Sequence, residues 1–331
     1  MAAEGGTKAV IMAVFVNGII AVGKLAAFAV SGSGAMLAEG IHSIADTANQ
    51  ALLWFGIKQS ERPADKDHPF GYGAERYFWS LVSAMGIFVL GCGVTVYHGV
   101  HQLMHPALPT VGMLTWVVLA VSAVLEGSVF FAALREANRQ REGQSWSTFM
   151  KTSTDPTLIA VLLEDSIAVI GIGIAAAGVG LAHATGIPQF DGAASIIIGL
   201  LLGALALALA VKNKDLLVGR AAPSDLQKRI TTVVTGHESV DKLLSMRTRV
   251  LGSGEVQLDL QVDFSPDAIV DRMQQQIYDD FENVKTKEEF EAYCRQFGRT
   301  LVDELALEVD KLEKAIQKEV PQAQHIDIEG D

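Results

Sequence analysis

Six long apolar runs constrain this chain more than any other feature. They lie at roughly Ala9–Val30, Met36–Ile57, Phe78–Val100, Gly112–Leu134, Leu158–Leu181 and Ala193–Val211. Each is close to the ~20 residues that cross the hydrocarbon core of a bilayer as a helix. Only a helix or a closed barrel satisfies its own backbone there, so the runs predict a six-helix transmembrane domain over residues 1–211. After Val211 the composition changes. Residues 212–331 hold 16 Lys and Arg against 24 Asp and Glu, which is −8 of the chain's net −12. That stretch reads as a soluble domain. Its acidity argues against a nucleic acid partner and is compatible with metal cations. Cys92 and Cys294 are too few for a disulfide framework or a cysteine zinc site. With a single Lys8 and no small-residue cleavage site, the N-terminus reads as the start of the first membrane helix.

Orientation follows from Lys and Arg. The turns near Ser31–Gly34, Gln102–Thr110 and Ala182–Phe190 contain neither. The opposite connections carry Lys58, Arg62, Lys66 and Arg76, then Arg135, Arg139, Arg141 and Lys151, then Lys212, Lys214 and Arg220. Both termini and the soluble domain are therefore expected on the cytoplasmic side, with a bacterial inner (plasma) membrane as the expected location.

An ionisable group in mid-bilayer costs about 3 kcal/mol or more and needs a reason. Helix 2 carries Glu39, His42 and Asp46. His42 and Asp46, four apart, share one face. Helix 5 carries Glu164 and Asp165, helix 1 Lys24 and helix 4 Glu126. Imidazole and carboxylates meeting across two helices suit a tetrahedral site for zinc or a similar cation. The competing reading is a buried polar cluster that only holds helices together.

At these residues the chain resembles the cation diffusion facilitators, and within them the zinc transporter nine branch. The resemblance rests on the turn and helix from Ser31 to Asp46, the segment Asp67-His-Pro-Phe-Gly-Tyr-Gly-Ala-Glu-Arg76, the stretch Asp155–Asp165, Leu216-Leu-Val-Gly-Arg220 and Val309-Asp-Lys-Leu-Glu-Lys314. It implies a homodimeric metal/proton antiporter whose site takes two residues from helix 2 and two from helix 5. His42 and Asp46 match the first pair, and Asp165 matches the second residue of the other. The remaining position is Val161 where the family pattern has His. Glu164, about 100° around the helix from Asp165, is the candidate replacement; a water or a residue on another helix is the alternative, and Glu164 would then pair with a group such as Lys24. A second family site, in the loop between helices 2 and 3, is matched by Asp65 and His68, with Tyr72 where another His is expected. The plain alternative is a turn set by Pro69 and Gly71.

The soluble part reads as α+β. Ser224 is expected to cap a helix through Val234. Strands are expected at Leu243–Leu251, at Val256–Phe264, which alternates apolar and polar residues, and at His325–Glu329. Leu301–Val320 is expected as a helix with Leu305, Val309, Leu312 and Ile316 on one face. The order resembles the family's ferredoxin-like cytoplasmic dimerisation domain, interrupted by a helical insertion over about 265–299. Within it, Thr286-Lys-Glu-Glu289 has the form of a capping box. His325 and Asp327, two apart on a strand, share a face and are a further metal candidate, with a structural role as the alternative. His98, His101, His105 and His183 lie near the outer ends of helices 3 and 5.

The expected function is export of a divalent metal, zinc first, from the cytoplasm in exchange for protons. The metal is substrate; no organic cofactor is expected. The expected partners are the metal ion, protons as counter-ion, the lipid membrane and a second copy of the chain. A membrane metal sensor without transport, or a manganese, iron or cobalt transporter, is the alternative. No phosphate-binding loop and no His-Glu-x-x-His motif is present, so the chain is not read as an ATP-driven pump or a metalloenzyme.

Overall fold

The computed structural model describes the backbone of residues 2–141, 143–146, 149, 156–252, 254–282 and 284–330, and the side chains of these except 2–13, 16 and 156–161. Lys151, Asp155 and the side chains of Lys8 and Val161, all used in the sequence reading, lie outside that description. The chain divides into two compact units: residues 1–59 with 75–214, and residues 60–74 with 215–331.

The first unit is helical: α1 Ala2–Ser31, α2 Gly34–Ser60, α3 Glu75–Met104 with a π-helical segment over Ile87–Val94, α4 Met113–Arg141, α5 Pro156–Thr185 and α6 Gln189–Val218. Five of the six apolar runs fall wholly within one of them, and the fourth exceeds its helix only by Gly112. Among the described residues, four helices are long and apolar enough to cross a membrane: those of α3 and α4, the part of α5 from Leu162 to Thr185, and α6. Helix α2 is long enough at 27 residues, but Glu39, His42, Ser43, Asp46 and Asn49 dilute its apolar character. In α1 only Asn17–Ser31 has described side chains for most of its length, a shorter apolar stretch.

Without a hydrophobic force between helices in lipid, close packing needs small residues. Helices α3 and α6 meet that way. A Cβ on Gly99 would lie 2.7 Å from Ile196 Cγ1 and 2.9 Å from the Gly192 carbonyl oxygen. One buried carboxylate orders the same end of the unit. Asp191, in the first turn of α6, is fully buried and accepts hydrogen bonds from Ser33 Oγ (2.6 Å), the Gly34 N–H (2.7 Å), the Ala35 N–H (3.3 Å) and Gln102 Nε2 (2.7 Å). It therefore caps the unpaired N–H groups at the start of α2 from another helix, and so fixes the helix that carries His42 and Asp46.

The second unit holds α7 Ser224–Thr235, β1 Val240–Gly252, β2 Glu255–Phe264, α8 Pro266–Phe281, α9 Lys287–Glu319 and β3 Ala323–Gly330. The sheet order is β1-β2-β3, antiparallel then parallel. The alternation of β2 is realised: Val256, Leu258, Leu260, Val262 and Phe264 are buried against Leu226, Ile230 and Val234 of α7 and Leu312 and Ile316 of α9. Two expectations change. Ser224 is the first helical residue and caps nothing; Pro223 precedes it, and the Gln227 N–H reaches the Pro223 carbonyl oxygen. The helix expected from Leu301 starts at Lys287, because the capping box of Thr286 and Glu289 forms and nothing after it stops the helix before Val320. The insertion is thus α8, docked through Ile269 and Met273, plus the first turns of α9.

Glu308 of α9 is buried and receives a hydrogen bond from Ser239 Oγ, an ion pair from Arg272 and one from Lys311 at 2.6 Å. Burial alone pushes its carboxyl up. The contacts from Lys311, Ser239 and Arg272 outweigh it and hold the group down at about 2, against an ordinary 4.5. Because the folded value is depressed, the stabilisation is complete above about pH 4.5 and is lost as pH falls towards 2. A shift of that size is worth on the order of 3 kcal/mol. Glu308→Gln is expected to lower the protection of β2 amides in hydrogen exchange at pH 7, with the gap to wild type closing in acid. Equal protection at pH 7 would show the cluster to be energetically neutral.

Candidate functional site

The ionisable residues of the membrane helices converge. His42 is 2% exposed, and its Nε2 lies 3.5 Å from Asp46 Oδ2, one turn on. Neither ring nitrogen has a hydrogen-bond partner. Asp46 of α2 lies within electrostatic reach of Glu126 of α4 and of Glu164 and Asp165 of α5. The α4/α5 pairing that brings the last three together is extensive, and α1 packs on α4 as well. Glu39 Oε1, Glu126 Oε2 and Asp165 Oδ2 are also buried and unpartnered. An unpaired buried acceptor costs about 1–3 kcal/mol, more when charged. Three carboxylate oxygens and the one imidazole nitrogen that carries no hydrogen form an unsatisfied acceptor set of the N and O type that suits a divalent cation, with the imidazole N–H an unsatisfied donor beside them. Among the described residues no three His, Cys, Asp or Glu side chains close to ligand distance around one point.

Lys24 of α1 is fully buried and bridges two carboxylates, Glu39 Oε2 at 2.7 Å and Glu126 Oε1 at 2.7 Å. The sequence marks each of these residues as a charge in lipid and offers Lys24 as a partner of Glu164 only in the alternative where Glu164 is not a ligand. Lys24 instead pairs with Glu39 and Glu126.

The loop between α2 and α3 belongs to the second unit. Asp65 Oδ1 accepts the N–H groups of Asp67 (3.0 Å) and His68 (2.8 Å), and Oδ2 accepts the Tyr72 hydroxyl at 2.7 Å. The Tyr72 hydrogen bond, with the His68 and Asp67 N–H groups behind it, holds the Asp65 carboxyl below its ordinary value. Arg62 lies 3.9 Å over the Tyr72 ring. With both oxygens of Asp65 engaged, the segment has the bonding of a built turn. Its Phe70 ring meets His325 edge-on at 5.2 Å, so His325 of β3 is used in packing the loop. Asp327 is exposed on the same strand. His101 and His105 stack at 4.6 Å at the end of α3.

The fold is that of a helical membrane protein, with four helices among the described residues long and apolar enough to cross a bilayer. Residues 10–218 match the cation efflux transmembrane domain. The chain belongs to the cation efflux family, a family of transporters and not of enzymes. It is similar to the mouse protein named proton-coupled zinc antiporter SLC30A9, mitochondrial, with 35% identity over 98% of this chain and 59% of the relative. The human protein of the same name has 35% identity with the same coverage. Metal tolerance protein C4 of Arabidopsis thaliana is 34% identical over 98% of this chain and 73% of its own length. The resemblance to the zinc transporter nine branch agrees with these similarities. The chain spans about three fifths of the length of the mouse and human relatives. Both of these relatives are mitochondrial by name, so the expectation of a bacterial inner membrane finds no support in them.

Proposed function

We infer that this chain moves a divalent metal ion, zinc first, across a membrane in exchange for protons. The observation that carries the reading is His42, buried in a membrane helix with both nitrogens unpartnered, beside carboxylates of three helices. The mouse and human relatives, by name proton-coupled zinc antiporters, support zinc and protons as the two substrates. His42, Asp46 and Asp165 are the proposed ligands, with Glu164 as a further carboxylate beside them. Metal binding requires neutral imidazole and ionised carboxylates, so loading the site expels protons, and their return after release resets it. Asp65, His68 and His325 are left out of the ligand set because the hydrogen bonds of Asp65, the His68–Tyr72 ring contact at 4.2 Å and the edge-on packing of His325 on Phe70 already engage them, and Asp327 because it lies exposed beside His325. The decisive experiment is flux in reconstituted vesicles, comparing zinc, manganese, iron and cobalt under an imposed pH gradient. Binding without flux would instead indicate a metal sensor.

The proposed organisation is six membrane helices over 1–211, both termini on the cytoplasmic side or its equivalent, and dimerisation through the domain over 212–331. Cysteines placed at Ala107 and Gly186 should react with an impermeant thiol reagent from one side of the membrane, and one at Gly143 from the other, in a background lacking Cys92 and Cys294. Labelling of all three from one side would rule out the six-helix arrangement.

A further inference from the structure

The triad of Lys24, Glu39 and Glu126 is larger than pairing one buried ammonium requires. Lys24 with Glu39 alone would be neutral, so Glu126 adds a negative charge inside the bundle at a cost that asks for compensation. Each carboxylate spends one oxygen on Lys24, leaving Glu39 Oε1 and Glu126 Oε2 buried and unpartnered. The two are not equivalent. Glu39 Oε1 is set against Gly171 of α5, where a Cβ would lie 2.5 Å from it. Both carboxylates lie within electrostatic reach of His42, Glu39 the more strongly, whereas Glu126 also reaches Asp46 and Asp165. His42 supplies an independent sign of a missing ligand, being buried with two unpartnered nitrogens.

We propose that Glu126 of α4 is a ligand of the transported cation through Oε2, and that Lys24 positions it by holding Oε1. The proposal rests on the transport site described above and fills the position left open by Val161. A metal-binding carboxylate works best when its other oxygen is hydrogen-bonded by an outer partner, and Lys24, itself anchored by Glu39, is that partner. Glu126 thereby joins α1 and α4 to a site otherwise built on α2 and α5, and adds an oxygen donor of the kind shared by zinc and manganese sites.

The test is zinc titration calorimetry on the purified full chain, with zinc X-ray absorption on the loaded protein. Glu126→Gln is expected to weaken zinc binding by at least about tenfold and to remove one oxygen from the zinc shell. Glu126→Asp keeps the charge opposite Lys24 but withdraws the oxygen by one methylene, so it should fold and still bind zinc less tightly. If Glu126→Gln fails to fold, Glu126→Asp decides alone. Wild-type zinc affinity in the folded Glu126 variants, with or without a lowered melting temperature, overturns the proposal. Asp46→Asn run alongside separates the two readings. Loss in Asp46→Asn with none in the Glu126 variants refutes only the role of Glu126. Wild-type affinity in Asp46→Asn as well would refute the transport site itself.

Discussion

Asp46→Asn and Asp165→Asn should each abolish metal transport while the protein still inserts and folds. The two carboxylates belong to different helices, α2 and α5, and each lies within electrostatic reach of the other. An amide keeps the shape of the side chain and removes the charge. A neutral amide binds a divalent cation far more weakly than a carboxylate, and the metal is left with fewer anionic oxygens. The cost to a divalent ion of losing one ionised ligand in a low-dielectric site is several kcal/mol, so flux should fall by about a thousandfold or more. The fold should tolerate the change, because Asp165 Oδ2 has no partner to lose and Asp46 makes only a 3.5 Å contact with His42. Removing one of several repelling carboxylates can even raise the melting temperature of the metal-free protein. Glu164→Gln should weaken binding less than Asp165→Asn, since Glu164 stands about 100° away on the same helix. Flux in vesicles and melting with and without zinc measure both effects. Wild-type flux in both Asp variants would leave the cluster a structural one.

What the sequence made legible was what repeats or sits close along the chain. The apolar runs mark where the helices of the first unit form, since burial in lipid depends on local composition. The alternation from Val256 to Phe264 mapped onto a strand buried on one face, and Thr286 and Glu289 formed their capping box three residues apart. Partnerships across the fold were not legible. Asp191 binds Ser33 and Gly34 from more than 150 residues away, and nothing periodic announces it; the only signal was an acidic residue opening an apolar run. Lys24, Glu39 and Glu126 were each visible as charges in lipid, but their spacing along the chain, 15 and 102 residues, carries no information on who pairs with whom. Ser224 shows the limit of a local rule, since Ser fits both the cap and the first turn, and the preceding Pro223 decides between them. The length of α9 shows another: Gly298, beside the boundary expected at Arg299, is a weak helix former but no stop, and the helix runs through it from Lys287.

His42→Asp should change which metal is carried. Imidazole is the softer donor of the set and favours zinc; a site of carboxylates alone favours harder ions such as manganese. His42 is in position to decide this because it is almost fully buried and neither ring nitrogen has a hydrogen-bond partner that a substitution would strand. The replacement carboxylate would face Asp46 one turn away, where the imidazole nitrogen now lies 3.5 Å from Oδ2. Two like charges at that separation disfavour the empty site and raise the demand for a bound cation or proton. The shorter side chain also draws the donor back towards α2, which suits an ion with longer bonds and more ligands than tetrahedral zinc. The ratio of zinc to manganese flux should therefore fall by on the order of tenfold, equivalent to about 1.4 kcal/mol of relative stabilisation. His42→Ala provides the contrast: it removes the donor without adding an oxygen, and both fluxes should drop together. Paired measurements in one vesicle preparation check the prediction. An unchanged ratio in His42→Asp would mean that the imidazole does not touch the metal, and selectivity would have to be set by the carboxylates of α4 and α5.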